Sequence, residues 1–231
     1  KKMADLKMSE KLYQEAYNEY IGEKFTDAIS LCDNALKKYP KDLLAPKFLL
    51  LRAYSVARIS DERNFKEELN NLIKIWPEAA ESKKASEIIA FLNQKIPELK
   101  IEEDKEIAAE LYDADTTLNH VFVLIITDPA FNINLSTFDV ISYNIDNYTN
   151  KNYRTEGLLV DNTYIMITVS GFADYGQTLD YYRAFRTDQI VRNPSGAKMM
   201  IFIINNKNLE VLNKDKTPGR YQLFFMEKYL K

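Results

Sequence analysis

Three short runs constrain this chain more than anything else in it: residues 120–127 (HVFVLIIT), 164–169 (YIMITV) and 199–204 (MMIFII). Each is rich in β-branched and aromatic side chains and is bounded by Asp, Asn, Pro or Gly, so each reads as a strand. None alternates cleanly between apolar and polar positions. A strand with one wet face alternates, so these continuous runs belong to a sheet covered on both faces.

The segments between the runs set the order. Residues 136–149 (STFDVISYNIDNYT) place Phe138, Ile141, Ile145 and Tyr148 on one helical stripe, with Ser136 as the expected cap. Residues 157–160 (GLLV) and 164–169 flank Asp161, Asn162 and Thr163 as a hairpin. A second helix is expected over 174–187, with Leu179, Tyr182 and Phe185 on its inner stripe. The order β-α-β-β-α-β implies a four-stranded antiparallel sheet with both helices on one face, the ferredoxin-like arrangement. The opposite face then needs its own cover. The candidates are the C-terminal tail, whose helix over 218–230 carries Tyr221, Phe224, Phe225 and Tyr229, the N-terminal segment, or a separate partner. The tail is the favoured one.

The first hundred residues repeat. Residues 9–21 and 25–39 read as a helix pair joined by Gly22, Glu23 and Lys24. An offset of 37 superposes Leu12 on Leu49, Ala16 on Ala53, Tyr17 on Tyr54, Cys32 on Leu69, Ala35 on Leu72, Tyr39 on Trp76 and Pro40 on Pro77. Small residues let paired helices approach, and a proline after an aromatic ends each second helix. Ala16, Ala28, Ala35 and Pro40 match the small-residue and proline positions of the tetratricopeptide repeat, which this segment resembles. The second repeat departs from that pattern, with Phe65 and Leu72 where small residues are usual. A further helix over 79–95 reads as the cap of the stack. In repeats of this kind the first helix of each pair lines a concave face. That resemblance makes Tyr13, Tyr17, Tyr20, Tyr54 and Arg58 the candidate protein-binding residues, although the same tyrosines would also serve as packing between repeats.

The expected organisation is therefore α + (α+β): tetratricopeptide-like hairpins over residues 1–100, an acidic linker over 101–118, and a ferredoxin-like domain with an extra C-terminal helix over 119–231. Within the linker a short helix is expected over 102–111, because acidic residues favour a helix start, and 113–119 is expected to be the tether.

Composition excludes several functions. The chain carries 31 basic and 34 acidic residues, nearly balanced in both halves, so neither half is a nucleic-acid footprint. One cysteine, Cys32, and one histidine, His120, cannot make a disulfide or a Cys/His metal site. Asp113 and Asp115 lack a third ligand or a glycine turn, and His120 lacks a Ser, Cys or Asp partner. No catalytic residue, no metal and no cofactor is therefore expected, and Cys32 reads as a small buried hydrophobe.

The repeat pair, 45–51 (APKFLLL), 65–72 (FKEELNNL), and an α+β domain with VSGF and LDYYRAF together resemble the C-terminal portion of the SprE/PorW gliding-motility family. Members are envelope lipoproteins of Bacteroidetes associated with type IX secretion. The resemblance implies a non-catalytic protein-protein interaction scaffold of the bacterial cell envelope with envelope proteins as partners. It also implies a periplasmic place, held at the outer membrane by a lipid anchor upstream of this chain. A second resemblance is more local: Val169, Gly171, Phe172 and the helix with Leu179 are similar to the strand, Gly-x-Phe and helix of sporulation-related repeat domains, which implies peptidoglycan glycan binding on an open sheet face as the alternative.

Overall fold

The structure is a computed structural model that describes residues 2–187 and 190–230. Among these residues are ten helices and one four-stranded antiparallel sheet, a mixed α+β chain. It divides into two units after Glu102.

The first unit is helical: α1 (Lys2–Ile21), α2 (Phe25–Lys38), α3 (Ala45–Ile59), α4 (Glu62–Ile75), α5 (Ala80–Lys95) and the start of α6 (Pro97–Leu111). Successive helices from α1 to α5 pack on one another, and α1 also touches α3, as α3 touches α5. Three helices end in the same way. Tyr39, Trp76 and Ile96 cap α2, α4 and α5 with φ between −130° and −131°, and each is followed by a proline. A residue before proline is pushed out of the helical region, which sets these boundaries. At the first turn Glu23 takes φ 59° directly after Gly22.

The interior is tight because its side chains are small. Ala16, Ala28, Cys32, Ala35, Ala53 and Ala85 are fully buried, with Leu69 and Leu72 sealing the second pair. Arg52 on α3 ties its neighbours together: its Nε donates to Asp33 on α2 at 2.7 Å, and its guanidinium also pairs with Glu68 on α4. Lys66 on α4 is buried, and its ammonium donates to the Asn93 side chain at 2.8 Å and the Leu99 carbonyl at 3.1 Å.

The second unit contains the rest of α6, then β1 (His120–Ile126), α7 (Ile133–Asn147), β2 (Arg154–Val160), β3 (Tyr164–Ser170), α8 (Tyr175–Thr187), β4 (Met199–Asn205), α9 (Asn206–Asp215) and α10 (Pro218–Tyr229). The strands lie in the order β2-β3-β1-β4, every neighbouring pair antiparallel. Registers such as Phe122 opposite Val169 and Ile203 put Phe122, Leu124, Val169, Ile167 and Ile203 on one face. On that face Phe122 packs against Tyr181 and Phe185 of α8 at 5.0 and 4.6 Å. The hairpin between β2 and β3 turns at Asp161 and Asn162, both at positive φ, a region these two side chains tolerate.

Val123, Ile125, Met166, Met200 and Phe202 occupy the other face and are also buried. Phe202 lies 4.9 Å from Tyr221 of α10, whose ring meets Tyr112 at 4.8 Å. The Tyr221 hydroxyl donates to the Ile203 carbonyl of the edge strand β4, so the C-terminal aromatics close that edge and the Phe202 side of the sheet. A charged cluster locks α10 in place: Arg220 pairs with both Asp104 of α6 and Asp215 at the end of α9.

Several expectations need correction. The helix expected over 102–111 is present as the end of a longer one that starts at Pro97, and the residues after it, expected as a tether, are tied to the second unit. Helix α6 runs through Leu111, Ala108 and Tyr112 join the core of the second unit, and the Asp113 carbonyl accepts from Asn205 and Asn208 at 3.1 and 2.7 Å. Helix α7 starts at Ile133, with Asn132 as its cap, accepting from the Leu135 N–H at 3.0 Å. Ser136 instead sits buried inside the first turns, donating back to the Asn132 carbonyl. Residues 206–215 fold as α9, capped by Asn205, where no helix was expected. The largest reversal concerns the stripe of α7. Phe138, Ile141 and Ile145 point outward, 60%, 37% and 62% exposed, whereas Ser136, Asp139, Val140, Tyr143 and Asn144 face inward.

The inward groups of α7 are polar yet almost all partnered. Asp139 accepts the Arg192 guanidinium, Nη2 to Oδ1, at 2.5 Å, and the Asn144 amide bridges Thr155 at 3.0 Å and the Tyr181 hydroxyl at 2.6 Å. Directed hydrogen bonds, rather than apolar burial alone, therefore orient this helix.

Candidate functional site

The strongest concavity built from sequence-expected residues lies in the first unit. A groove of about 410 Å³ is lined by Tyr13, Tyr17 and Tyr20 of α1, Lys47, Leu50, Leu51 and Tyr54 of α3, and Glu81 and Lys84 of α5. Helical spacing explains the convergence. Tyr13, Tyr17 and Tyr20 stand at i, i+4 and i+7 on α1, so they form a ridge along the side that meets α3.

Each tyrosine has a packed edge. Tyr13 meets Phe48 edge-on at 5.3 Å and stacks with Tyr17 at 6.4 Å. Tyr20 leans on Phe25 at 5.6 Å, and Tyr54 on Phe65 at 6.4 Å. Tyr17 is the most open of the four, at 42% exposure. Packing and groove lining are thus not alternatives for these side chains. One edge of each ring is held by the helical core and the rest is presented to the groove.

Arg58 is not part of this arrangement. Its guanidinium lies over the Phe25 ring at 5.3 Å, a cation–π contact that fastens α3 to α2. Lys47, Glu81 and Lys84 were not among the expected residues. The repeat offset could have found the lysines: Lys47 and Lys84 are separated by the same 37 positions that relate Tyr17 to Tyr54. They place two ammonium groups and one carboxylate on the rim.

The electrostatics of the groove and its surroundings are set mainly by burial. Burial, with smaller contributions from Cys32, Tyr17 and Glu81, raises the Tyr13 phenol above its ordinary range, so it is a neutral hydrogen-bonding group at neutral pH. Burial also pushes the Cys32 thiol up to about 12, helped by Asp33, and Cys32 sits among Ala16, Ala35 and Phe48. Such a thiol is protonated and inert.

The residues singled out in the second unit each make local packing, hydrogen-bond or ion-pair contacts. His120 is buried at the start of β1, its Nδ1 2.8 Å from the Leu118 carbonyl and its ring edge-on to Tyr175 at 5.2 Å. Burial depresses its pKa, outweighing the Leu118 carbonyl and Asp115, which favour the charged form. Asp115 accepts from the Thr117 backbone and hydroxyl, closing a local turn, while Asp113 is paired with Lys207. Among the described residues there is no group of three or more His, Cys, Asp or Glu side chains able to hold a metal ion. Nor is any helix among them long and apolar enough to cross a membrane.

The Gly-Phe element has a packing explanation. Gly171 takes φ +97°, and a Cβ there would stand 2.7 Å from the Asn152 carbonyl oxygen. Phe172 packs on Tyr153 at 4.5 Å and Tyr181 at 5.1 Å. A further concavity of about 560 Å³ is lined by Phe185, Arg186, Ile190 and Ile201, among others. No protein-family model, curated protein or solved structure matches this chain.

Proposed function

We propose that this protein is a non-catalytic scaffold that binds protein through the α1–α3–α5 groove, with helices arranged as tetratricopeptide-like hairpins ahead of a ferredoxin-like domain. The observation that carries the reading is the convergence of Tyr13, Tyr17, Tyr20 and Tyr54 on one groove with Lys47 and Lys84 at its rim. Tyrosine supplies a large amphipathic contact at low entropic cost, and rim cations favour segments that carry carboxylates. The groove takes a polypeptide segment rather than a compact small molecule, because its walls come from three separate helices and run along them.

The family resemblance extends this to a place: the bacterial envelope, on the periplasmic side, with outer-membrane attachment supplied upstream and partners that belong to type IX secretion or gliding. Glycan binding through the sheet is the weaker alternative. Both faces of the central strands are buried, and Gly171 and Phe172 are accounted for by backbone approach and packing.

Panning a random peptide library against the immobilised chain tests the groove, using the double variant Tyr17→Ala/Tyr54→Ala as comparison. Enriched peptides that bind the parent and lose at least roughly tenfold affinity for the variant, about 1.4 kcal/mol, support the proposal if the melting temperature is unchanged. Peptides that bind both equally, or no enrichment at all, overturn it.

A further inference from the structure

Helix α7 is inverted with respect to its own apolar stripe. Phe138, Ile141 and Ile145 are exposed, and its buried side is largely polar. At about 100° per residue, Val140 and Asn144 point to the sheet and Asp139 and Tyr143 point towards α8. The same spacing turns Ile141, Ile145 and Phe138 to the remaining flank, above the outer side of β2. A shallow groove lined by Ile141, Ile145 and Tyr148 with Tyr153 and Thr155 joins this flank to that strand.

β2 is the end of the sheet. Its pairing with β3 runs unbroken from Arg154 to Val160, with no bulge or proline to blunt its free edge. It exposes Leu158 at 56% and Leu159 at 39%, one on each face. Edge strands are ordinarily guarded by lysines, prolines or bulges; this one has none of them, and its charges are Arg154 and Glu156, of opposite sign.

We infer that the chain forms a twofold dimer in which β2 pairs antiparallel with β2 of a second copy and the α7 stripes pack together. Three features select a second copy as the occupant. A twofold axis perpendicular to the sheet puts both α7 helices on the same face, so the apolar stripe and the open edge are buried in one operation. With Thr155 on the axis, Arg154 of each copy stands opposite Glu156 of the other, two ion pairs of matching sign. Centring on Glu156 would set like charges face to face, so the register is specified. The outer flank of α7 offers no opposing charge, because its acidic residues are Asp139, held by Arg192, and Asp146 on another side of the helix.

The size is adequate. A 7-residue strand and a 15-residue helix are each about 22 Å long; stacked about 10 Å apart, with about 5 Å of side chain beyond each axis, they present a face of roughly 440 Å² per copy, in the range of weak, transient interfaces. Such an area fits a dimer that assembles at micromolar concentration.

Sedimentation velocity from about 1 to 500 µM tests this. The expected mass rises from 26.9 kDa towards twice that value with concentration. Phe138→Glu and Glu156→Lys, both at exposed positions, each weaken assembly at least roughly tenfold without changing the circular-dichroism melt, with Ile145→Glu as a second probe of the stripe. Arg154→Glu combined with Glu156→Arg restores assembly. A monomer at every concentration leaves the face to a different partner and overturns the inference. So does a dimer indifferent to Phe138→Glu and Glu156→Lys, or a charge swap that fails to restore it. The peptide groove lies in the other unit, so the two proposals fail independently.

Discussion

Thr137 makes the sharpest test of how α7 is held. Its Oγ1 is buried without a hydrogen-bond partner among the described residues, pressed against β2 at Gly157. A helical threonine normally donates to the carbonyl four residues back, but the Ile133 carbonyl already accepts from Ser136 at 3.1 Å. Leaving a hydroxyl buried and unpaired costs about 1–3 kcal/mol. Thr137→Val keeps the branched shape and replaces the hydroxyl by a methyl, and valine and threonine have similar helix propensities. The second unit should gain about 1 kcal/mol, which in a domain of this size raises its melting temperature by about 3–5 °C. Thr137→Ala, which also opens a gap, should gain less or lose. Differential scanning calorimetry resolves the two units, and the only tryptophan, Trp76, supplies a control because its fluorescence reports the first unit. An unchanged or lower melting temperature for the second unit, or an equal shift in the Trp76 transition, would refute the reasoning.

Other outcomes follow from the same packing. Gly157→Ala places a Cβ 2.3 Å from Thr137 Oγ1 and should cost about 1–3 kcal/mol, part of which returns when Thr137→Ala is added, measurable as coupling in a double-mutant cycle by urea unfolding. His120 is buried with a depressed pKa, so the folded state resists the proton that the unfolded chain accepts near its ordinary 6.5. Stability is therefore full above pH 6.5 and declines as the pH falls through the lower folded value. Melting the parent and His120→Gln between pH 7 and 5 should show a fall in the parent that the variant lacks. Cys32, pushed up to about 12 by burial, should react with a disulfide reagent only after the first unit unfolds, at a rate that follows the Trp76 transition. Phe225→Ala removes a fully buried ring that meets Tyr182 at 5.0 Å and Tyr229 at 5.6 Å and should cost about 3–5 kcal/mol in the second unit.

What was legible in the residues, and what was not, divides along a physical line. Strand and helix order could be read because β-branched runs, prolines and turn residues act locally. The pre-proline ends at Tyr39 and Trp76 are the clearest instance, since the steric rule that sets them needs no tertiary contact. Grouping by face was equally readable: Tyr13, Tyr17 and Tyr20 do share a ridge, and Phe138, Ile141 and Ile145 do share a stripe. Periodicity, however, reports which side chains stand together and is silent on where that side is aimed. In α1 the ridge meets α3 because Ala16, fully buried beside it, allows the close approach. In α7 the aim is decided by groups far away in sequence. Asp139 is drawn inward by Arg192, and Asn144 by Tyr181 and Thr155, through contacts 53, 37 and 11 residues apart. A buried carboxylate with an arginine hydrogen bond and an amide with two partners lose little by leaving water, whereas either one unpaired would cost more than an exposed isoleucine. Arg58 stands apart from the groove for a related reason, its guanidinium resting over the Phe25 ring. The outward stripe of α7 is thus the result of a polar network winning the inner face, and an apolar surface displaced in that way is what the inferred dimer would bury.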